Sequence, residues 1–570
     1  MTTTKTFGPK TVLGESIHRL KHRQAGEDFR GAMTRLASAL QDDDAHFHAF
    51  RDILLNQRAL LGGRIQAAVG AAKTVSAFNC FVSGEIEDSM DGIMNRAKEA
   101  AQTMRMGGGI GFDFSPLRPR NSLVRSLDSR ASGPVSFMSI YNAVCGTIAS
   151  AGMRRGAMMS VLRIDHPDIV EFLQAKRNSN ALNGFNMSVG VTDEFMVALS
   201  NNTNFQLKFE GQVYTEIRAN DLWEQLMRSN WDWGEPGVLF IDRINHMNNL
   251  WYAETIRATN PCAEQPLPPN GACLLASMNL TKYLHKTQYG WGFELEWFAE
   301  DIPHVVRALD NVIDLAAYPL ETQKAEALAK RRMGLGITGL ANTAEVLGKQ
   351  YGSPAFMEFT KMVMKKLTRQ AYETSIEIAK EKGSFPLFEA DKHASSRFIQ
   401  SVIPDLADEI LKHGIRNSHL ISVAPAGTIS LTADNVSSGI EPPYRLQFNR
   451  TIEMPDGPIT VQVKDWALEQ LGVVCKTSDE VTAEEHVAVT ALVQRYTDSS
   501  VSKTVNVGPS VSYRDFEKLY TMAYQQGAKG LTTFRSEGKR QGILTEVSPD
   551  QSELSACTID PLTGGKSCDE

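Results

Sequence analysis

The sequence predicts an α/β fold built on a mainly parallel sheet. Short apolar runs of β type recur around Val82 and at 110–114, 161–164, 187–191 and 420–423. Helical stretches such as 359–382 separate them, the alternation that the crossovers of a parallel sheet require. No Pro-, Gly- or Ser-rich linker divides the chain between about 63 and 540, so its 570 residues read as one large domain with appendages.

Residues 1–62 carry amphipathic patterns at 29–36 and 50–55 that predict short helices ahead of the domain at 63–540. The uncharged stretch 131–153 contains Pro134, Asn142, three glycines and several serines, which predicts a buried small-residue helix and not a membrane span. Gly107, Gly109 and Phe112 fail the dinucleotide fingerprint, which needs a third glycine where Phe112 stands. Residues 421–430 read as a strand, a tight turn and a helix start, where free backbone N–H groups and hydroxyls favour a phosphate. From 541 to 570 the chain is polar and poor in apolar residues, a flexible tail holding Cys557 and Cys568.

A net charge of -7 without any long Lys/Arg run argues against nucleic acid as a partner. The N-terminal segment MTTTKTFGPK lacks the apolar core of a signal peptide, and seven scattered cysteines suit the reducing cytoplasm. No metal-ligand spacing stands out.

The most reactive segment is Asn260-Pro261-Cys262-Ala263-Glu264-Gln265. In an extended backbone, side chains two apart share a face, so an amide, a thiol and a carboxylate would line up on one side. Pro261, Pro266, Pro268 and Pro269, followed by Asn270-Gly271, exclude a helix and predict a rigid loop. Such a thiol either meets a substrate or is simply buried.

Two further cysteines decide between these. Cys80 lies in SAFNCFVSG and Cys273 in GACLL. With them, FNCFVSGEIEDSMDGI, MGGGIGFDFSPLRPR, SAGMRRGAMMSVLRIDHPDI, NPCAEQPLPPNGACLLASMNL, RRMGLGITGL, RNSHLISVAPAGTISL and NVSSGIEPPY follow in order. From about residue 50 to 540 the chain resembles the ribonucleotide reductase catalytic subunit. The resemblance implies a ten-stranded α/β barrel with the 260–270 loop threaded through its centre as a finger. Barrel closure cannot be read from periodicity.

The same resemblance implies the chemistry. Cys262 would carry a thiyl radical that abstracts the 3'-hydrogen of a ribonucleoside diphosphate, Glu264 would act as base on the 3'-hydroxyl, and Asn260 would hold that hydroxyl. Cys80 and Cys273 would supply the reducing equivalents by closing to a disulfide. Cys557 and Cys568 would then pass electrons in from thioredoxin or glutaredoxin, although their spacing is wider than is usual in the family. Ala424, Pro425, Ala426, Gly427, Thr428, Ile429 and Ser430 match the substrate phosphate loop, with Ala426 standing where many relatives have Thr. Asp88, Arg118 in a first loop, and Arg154 and Arg155 in a second match a site for a deoxynucleotide or ATP effector between the subunits of a homodimer. Cys145 and Cys475 have no such context and read as packing residues.

Relatives fed by a separate metal-containing radical subunit carry adjacent tyrosines near the end of the barrel, where this chain has GLTTFR. Tyr520 and Tyr524, four apart, read as packing on one helix face. The wording NPCAEQPLPPNGACLL and GLTTFR resembles the adenosylcobalamin-dependent class. Many relatives carry an N-terminal ATP-sensing domain, for which the lead of 62 residues leaves no room. A reductase driven by a separate subunit, and a noncatalytic nucleotide sensor on the same fold, are the alternatives.

Overall fold

An eight-stranded sheet carries the fold. In order across the sheet its strands are Ala272–Cys273, Cys80–Val82, Gly109–Asp113, Met158–Arg163, Phe185–Val191, Gly237–Phe240, Gly530–Arg535 and Thr504–Val507. The computed structural model describes residues 7–535 except 73, 125–127, 149–155, 178–181 and 453–458, together with 538, 558–559 and 566–567. Five of the seven pairings are parallel. The antiparallel ones are Ala272–Cys273 against Cys80–Val82 and Gly237–Phe240 against Gly530–Arg535. At the second of these the direction reverses, so the five parallel strands from Cys80–Val82 to Gly237–Phe240 run against the parallel pair Gly530–Arg535 and Thr504–Val507. A smaller sheet joins Ala59–Leu61, Leu275–Asn279 and Gly334–Thr338, and isolated bridges tie Leu335 to Ile421 and Val423 to Val501.

The predicted runs at 110–114, 161–164 and 187–191 are strands, and the strand Phe185–Val191 is buried along its whole length, as a sheet covered on both faces requires. The run at 420–423 is a correction: it is extended but pairs only through the two isolated bridges, because the Asp498 carboxylate takes the N–H groups of Leu420 and Ile421 that a ladder would otherwise use. The helix expected over 359–382 spans Pro354–Lys382. Ser353 caps it, Pro354 opens it, and Gly383 ends it at φ 80°.

The stretch 131–153 is also corrected. Its helix is Pro134–Thr147, and only the stripe Pro134, Met138, Tyr141 and Cys145 is buried, while Ser136, Ser139, Ala143, Gly146 and Thr147 are exposed. The small residues therefore line an outer face. At the N-terminal end, Val12–Lys21, Phe29–Leu40 and Asp44–Leu55 are helices capped by Thr11, Asp28 and Asp43. Phe29, Leu36 and Phe50 enter the same core as the sheet residues Phe112 and Val189. Among the described residues no helix is long and apolar enough to cross a membrane.

Candidate active site

The residues 258–267 form a hairpin. Ala258 pairs with Leu267 and Thr259 with Pro266. Its loop is a turn and not the extended run that the spacing suggested: Asn260 N donates to Gln265 O at 3.0 Å, Ala263 N donates to Asn260 O at 3.1 Å, and Ala263 takes φ 67°. Asn260 and Glu264 consequently meet across the loop instead of along one strand face. The Asn260 amide donates to Glu264 Oε1 at 2.7 Å and to Cys80 Sγ at 3.1 Å, while its Oδ1 accepts from Gln265 N at 2.9 Å and so fixes the amide's orientation.

The hairpin lies hard against the strand Gly109–Asp113. A Cβ at Gly109 would come within 2.9 Å of Pro261 Cγ, and one at Gly111 within 1.8 Å of the Thr259 carbonyl oxygen. The glycine run dismissed as a dinucleotide fingerprint serves this close approach. Asn186 donates to Pro261 O at 2.9 Å and holds the tip from the next strands.

Cys80 donates its S–H to Glu264 Oε1 at 3.4 Å. Cys273 stands directly opposite Cys80 in the antiparallel pair. Residues facing each other in this way have Cα atoms about 4.5–5.5 Å apart, inside the span a disulfide bridges. Both are thiols here. Burial pushes the Cys273 thiol well above its usual range, opposed in part by the nearby Arg332 guanidinium. Cys273 is fully enclosed, whereas Cys262 at the tip keeps 7% of its surface exposed.

Two residues that sequence reasoning missed hold Glu264 through its backbone. The Ser422 hydroxyl and the Ser500 N–H both donate to the Glu264 carbonyl at 3.0 Å. They lie 158 residues or more along the chain from it, so no local pattern could announce them.

The candidate phosphate loop reaches the same place. Ala424 packs with Cys80 and Leu275, Pro425 follows, and the helix Gly427–Thr432 begins after Ala426, whose N–H donates to Ser438 Oγ at 2.8 Å. The Thr428 hydroxyl is buried without a hydrogen-bond partner, and the Ser430 hydroxyl donates to Gly427 O at 2.9 Å. Ile429 points its side chain into a cluster with Trp466 and Cys475 and leaves only its backbone for a ligand.

Asp88 and Arg118 form an ion pair, Nε to Oδ2 2.5 Å, backed by Arg118 Nη2 to Asp88 O at 3.2 Å. Arg154, Arg155, Cys557 and Cys568 lie outside the described residues. Cys145 and Cys475 are packed away from the site, and burial raises both thiols, Cys145 to about 11. Tyr520 is buried with its hydroxyl 3.0 Å from Thr533 Oγ1, and the Tyr524 hydroxyl donates to Asp193 at 2.8 Å, so both are held by packing partners.

An amide, a carboxylate and the Cys80 thiol, with Cys273 opposite it, thus converge in a nearly dry space, with Cys262 on the same hairpin as Asn260 and Glu264, beside a loop with a buried hydroxyl. The family model "Ribonucleotide reductase, barrel domain" matches residues 78–473 and 460–534. The chain is 33% identical over 521 residues to a vitamin B12-dependent ribonucleoside-diphosphate reductase of Mycobacterium tuberculosis, a match covering 86% of this chain and 72% of that one. A protein of the same description from Thermoplasma acidophilum is 34% identical, over 82% of this chain and 62% of its own length. The ribonucleoside-diphosphate reductase subunit alpha of Helicobacter pylori is 25% identical over 80% of this chain and 70% of its own. With the barrel motifs in order, the thiol pair facing across one strand pairing and these matches over most of its length, the chain belongs to the ribonucleotide reductase family.

Proposed function

We propose that the chain reduces ribonucleoside diphosphates to 2'-deoxyribonucleotides by thiyl-radical chemistry with adenosylcobalamin as its cofactor. The observation that carries this reading is the joint contact of Asn260, Glu264 and Cys80, with Cys273 opposite Cys80. Among the described residues no three His, Cys, Asp or Glu side chains converge to hold a metal directly. A cobalt that arrives inside its own macrocycle needs no such set and asks only for a reachable thiol, which Cys262 provides.

When bound, adenosylcobalamin supplies the abstraction of a hydrogen atom from a thiol. Cys262 as a thiyl takes the hydrogen from the ribose 3' carbon. Glu264 accepts the 3'-hydroxyl proton, a general-base contribution of roughly 10²–10⁴-fold, while the Asn260 amide holds that oxygen. Cys80 protonates the 2'-hydroxyl, which leaves as water. Cys80 and Cys273 close to a disulfide and deliver two electrons, and Cys262 returns the hydrogen to the 3' carbon. The sum is ribose plus two thiols giving deoxyribose, water and one disulfide. Enclosure of all three cysteines shields the radical from side reactions with outside hydrogen donors and oxidants. The substrate diphosphate would rest on the loop from Ala424 to Ser430, with the Thr428 hydroxyl as a donor.

The proposed architecture is a short helical lead at 1–62, a ten-stranded barrel at 63–540 with the 258–267 hairpin as its central finger, and a redox tail at 541–570. Supporting closure, the segment 272–279 pairs with Cys80–Val82 at one end and Gly334–Thr338 at the other, and residues 421–423 bridge the remaining gap toward Thr504–Val507. Supporting the shuttle role of Cys557 and Cys568, Gly530–Arg535 runs toward the end of the sheet that holds Cys80, so the tail leaves on the side of the site. Thioredoxin or glutaredoxin would reduce that tail. A deoxynucleotide or ATP at Asp88, Arg118, Arg154 and Arg155, between two copies of the chain, would set substrate preference. The working place is the cytoplasm.

The test is reduction of a ribonucleoside diphosphate by the purified chain with dithiothreitol and adenosylcobalamin. Deoxynucleotide is expected from the parent and none from Cys262→Ser. No product with adenosylcobalamin, but product once a metal-containing radical subunit is added, would replace this reading with that of the two-subunit reductase.

A further inference from the structure

At the end of the sheet opposite Cys80, where Gly237–Phe240 passes into the helix Ile241–His246, a cavity of about 630 Å³ opens between the helices Arg397–Val402 and Ala483–Arg495 and the turn leading to Lys529. This volume is that of a small-molecule site. Four cations line it, Arg243, Arg397, Arg495 and Lys529, and the single lining carboxylate is Asp193. In a chain of net charge -7 this is a local inversion of sign.

The four cations are not spent on one another's counter-ions. Among the described residues none of them has a carboxylate within ion-pair distance. Lys529 is 3% exposed and gives its ammonium to the carbonyls of Asp498 and Ser499. The Asp498 carboxylate is occupied by Tyr372, Leu420 and Ile421. Arg243 donates to the carbonyls of Tyr524 and Ala528 and lies 4.4 Å over the Tyr524 ring. Asp193 is itself taken by the Tyr524 hydroxyl at 2.8 Å, with His246 Nδ1 3.7 Å away. Arg397 and Arg495 are exposed at the rim and reach inward from two different helices. Guanidinium groups presented from separate walls match the spaced oxygens of a phosphate chain, each able to bind in a bidentate fork. The floor adds Met247 and Leu492, an apolar surface for a planar group.

We propose that this cavity binds the polyphosphate group of a small molecule, at a place separate from both the reacting residues and Asp88. The ligand sits over Lys529, whose carbonyl partners immediately precede Ser500, the residue that donates to the backbone of Glu264. Occupancy would therefore be felt at the finger through a chain of direct contacts. The inference goes beyond the reductase reading and does not depend on the cofactor.

Calorimetric titration of the full chain carrying Asp88→Ala, at low ionic strength, tests it with sodium tripolyphosphate and ATP as separate probes. Tripolyphosphate is expected to fill one site per chain besides the loop at 424–430, and binding at that site is expected to weaken at least tenfold on adding Arg397→Ala with Arg495→Ala, both exposed positions whose truncation leaves the core intact. The paired lysine replacements, Arg397→Lys with Arg495→Lys, retain most of the binding. ATP binding more tightly than tripolyphosphate, with the same loss in the alanine variant, identifies a nucleotide as the ligand; equal or weaker binding identifies a free phosphate chain. Absence of binding by either probe, or binding unchanged in the alanine pair, overturns the proposal.

Discussion

Replacing Gly111 by alanine tests the placement of the 258–267 hairpin more sharply than replacing any of its own residues. The added Cβ would stand 1.8 Å from the carbonyl oxygen of Thr259. Carbon and oxygen in non-bonded contact keep about 3.3–3.6 Å apart, so the hairpin or the strand must yield by at least about 1.5 Å. The obstructing atom is backbone at the root of the hairpin, and no side-chain rotation relieves it. Misplacement of a reacting group by about 1 Å costs on the order of 10²-fold in rate, equivalent to about 2.7 kcal/mol of barrier at 1.36 kcal/mol per tenfold. Gly111→Ala should lower kcat for deoxynucleotide formation by that order. The control is Gly190→Ala in the same sheet, where the nearest atom to a new Cβ is Val161 Cγ1 at 3.7 Å, an ordinary contact. Turnover by both variants is measured alongside their thermal transitions. If Gly111→Ala turns over like Gly190→Ala while folding as the parent does, the hairpin does not sit where this argument needs it.

Cys80→Ser and Cys557→Ser separate the two thiol pairs: the first should yield no deoxynucleotide with any reductant, the second about one product per chain from prereduced enzyme and normal cycling with dithiothreitol, which bypasses the tail. Equal behaviour of the two with dithiothreitol would remove the distinction. Asp88→Ala breaks the ion pair with Arg118 and should flatten the influence of deoxynucleotide effectors on a mixture of four substrates, leaving basal reduction within a few-fold; an unaltered effector response would move the effector site elsewhere. Asn260→Asp puts a second carboxylate where the amide now lies 2.7 Å from Glu264. One of two carboxylates so close is held protonated to higher pH, so the acid limb of the rate profile should shift upward, by more than one unit, and an unshifted limb would show that Glu264 is not the base.

The parts of this site that were legible in the sequence are those whose meaning is local. The prolines after Cys262 excluded a helix, and the order of the cysteine segments named the chemistry. What was not legible depends on turns and on distant chain. The every-second-residue pattern at Asn260, Cys262 and Glu264 suggests an extended strand, because alternation is the strand's signature; a backbone bond from Asn260 to Gln265 overrides it and closes a hairpin instead. The apolar run at 420–423 has the composition of a strand, but the Asp498 carboxylate competes for its N–H groups. The small residues at 134–147 suggested burial, yet a helix buries a stripe, and here Met138, Tyr141 and Cys145 supply it. The glycines at 107–111 fail the dinucleotide fingerprint in the sequence itself, but their use, the close approach of a backbone, depends on the path of a segment about 150 residues later.

That last point bears on how the chemistry is positioned. Asn260, Glu264 and Cys262 belong to a hairpin that contributes few contacts of its own, since the ladder between Ala258–Thr259 and Pro266–Leu267 is two residues long. Its geometry is set from outside, by Gly109 and Gly111 beneath it, Asn186 at Pro261, and Ser422 and Ser500 at the Glu264 carbonyl. These supports come from the parallel strands Gly109–Asp113 and Phe185–Val191 and from residues 422 and 500, beside the isolated bridges at Ile421, Val423 and Val501. A hairpin held this way takes its geometry from segments far from it in sequence on both sides, which ties the proposed radical site to the completed fold.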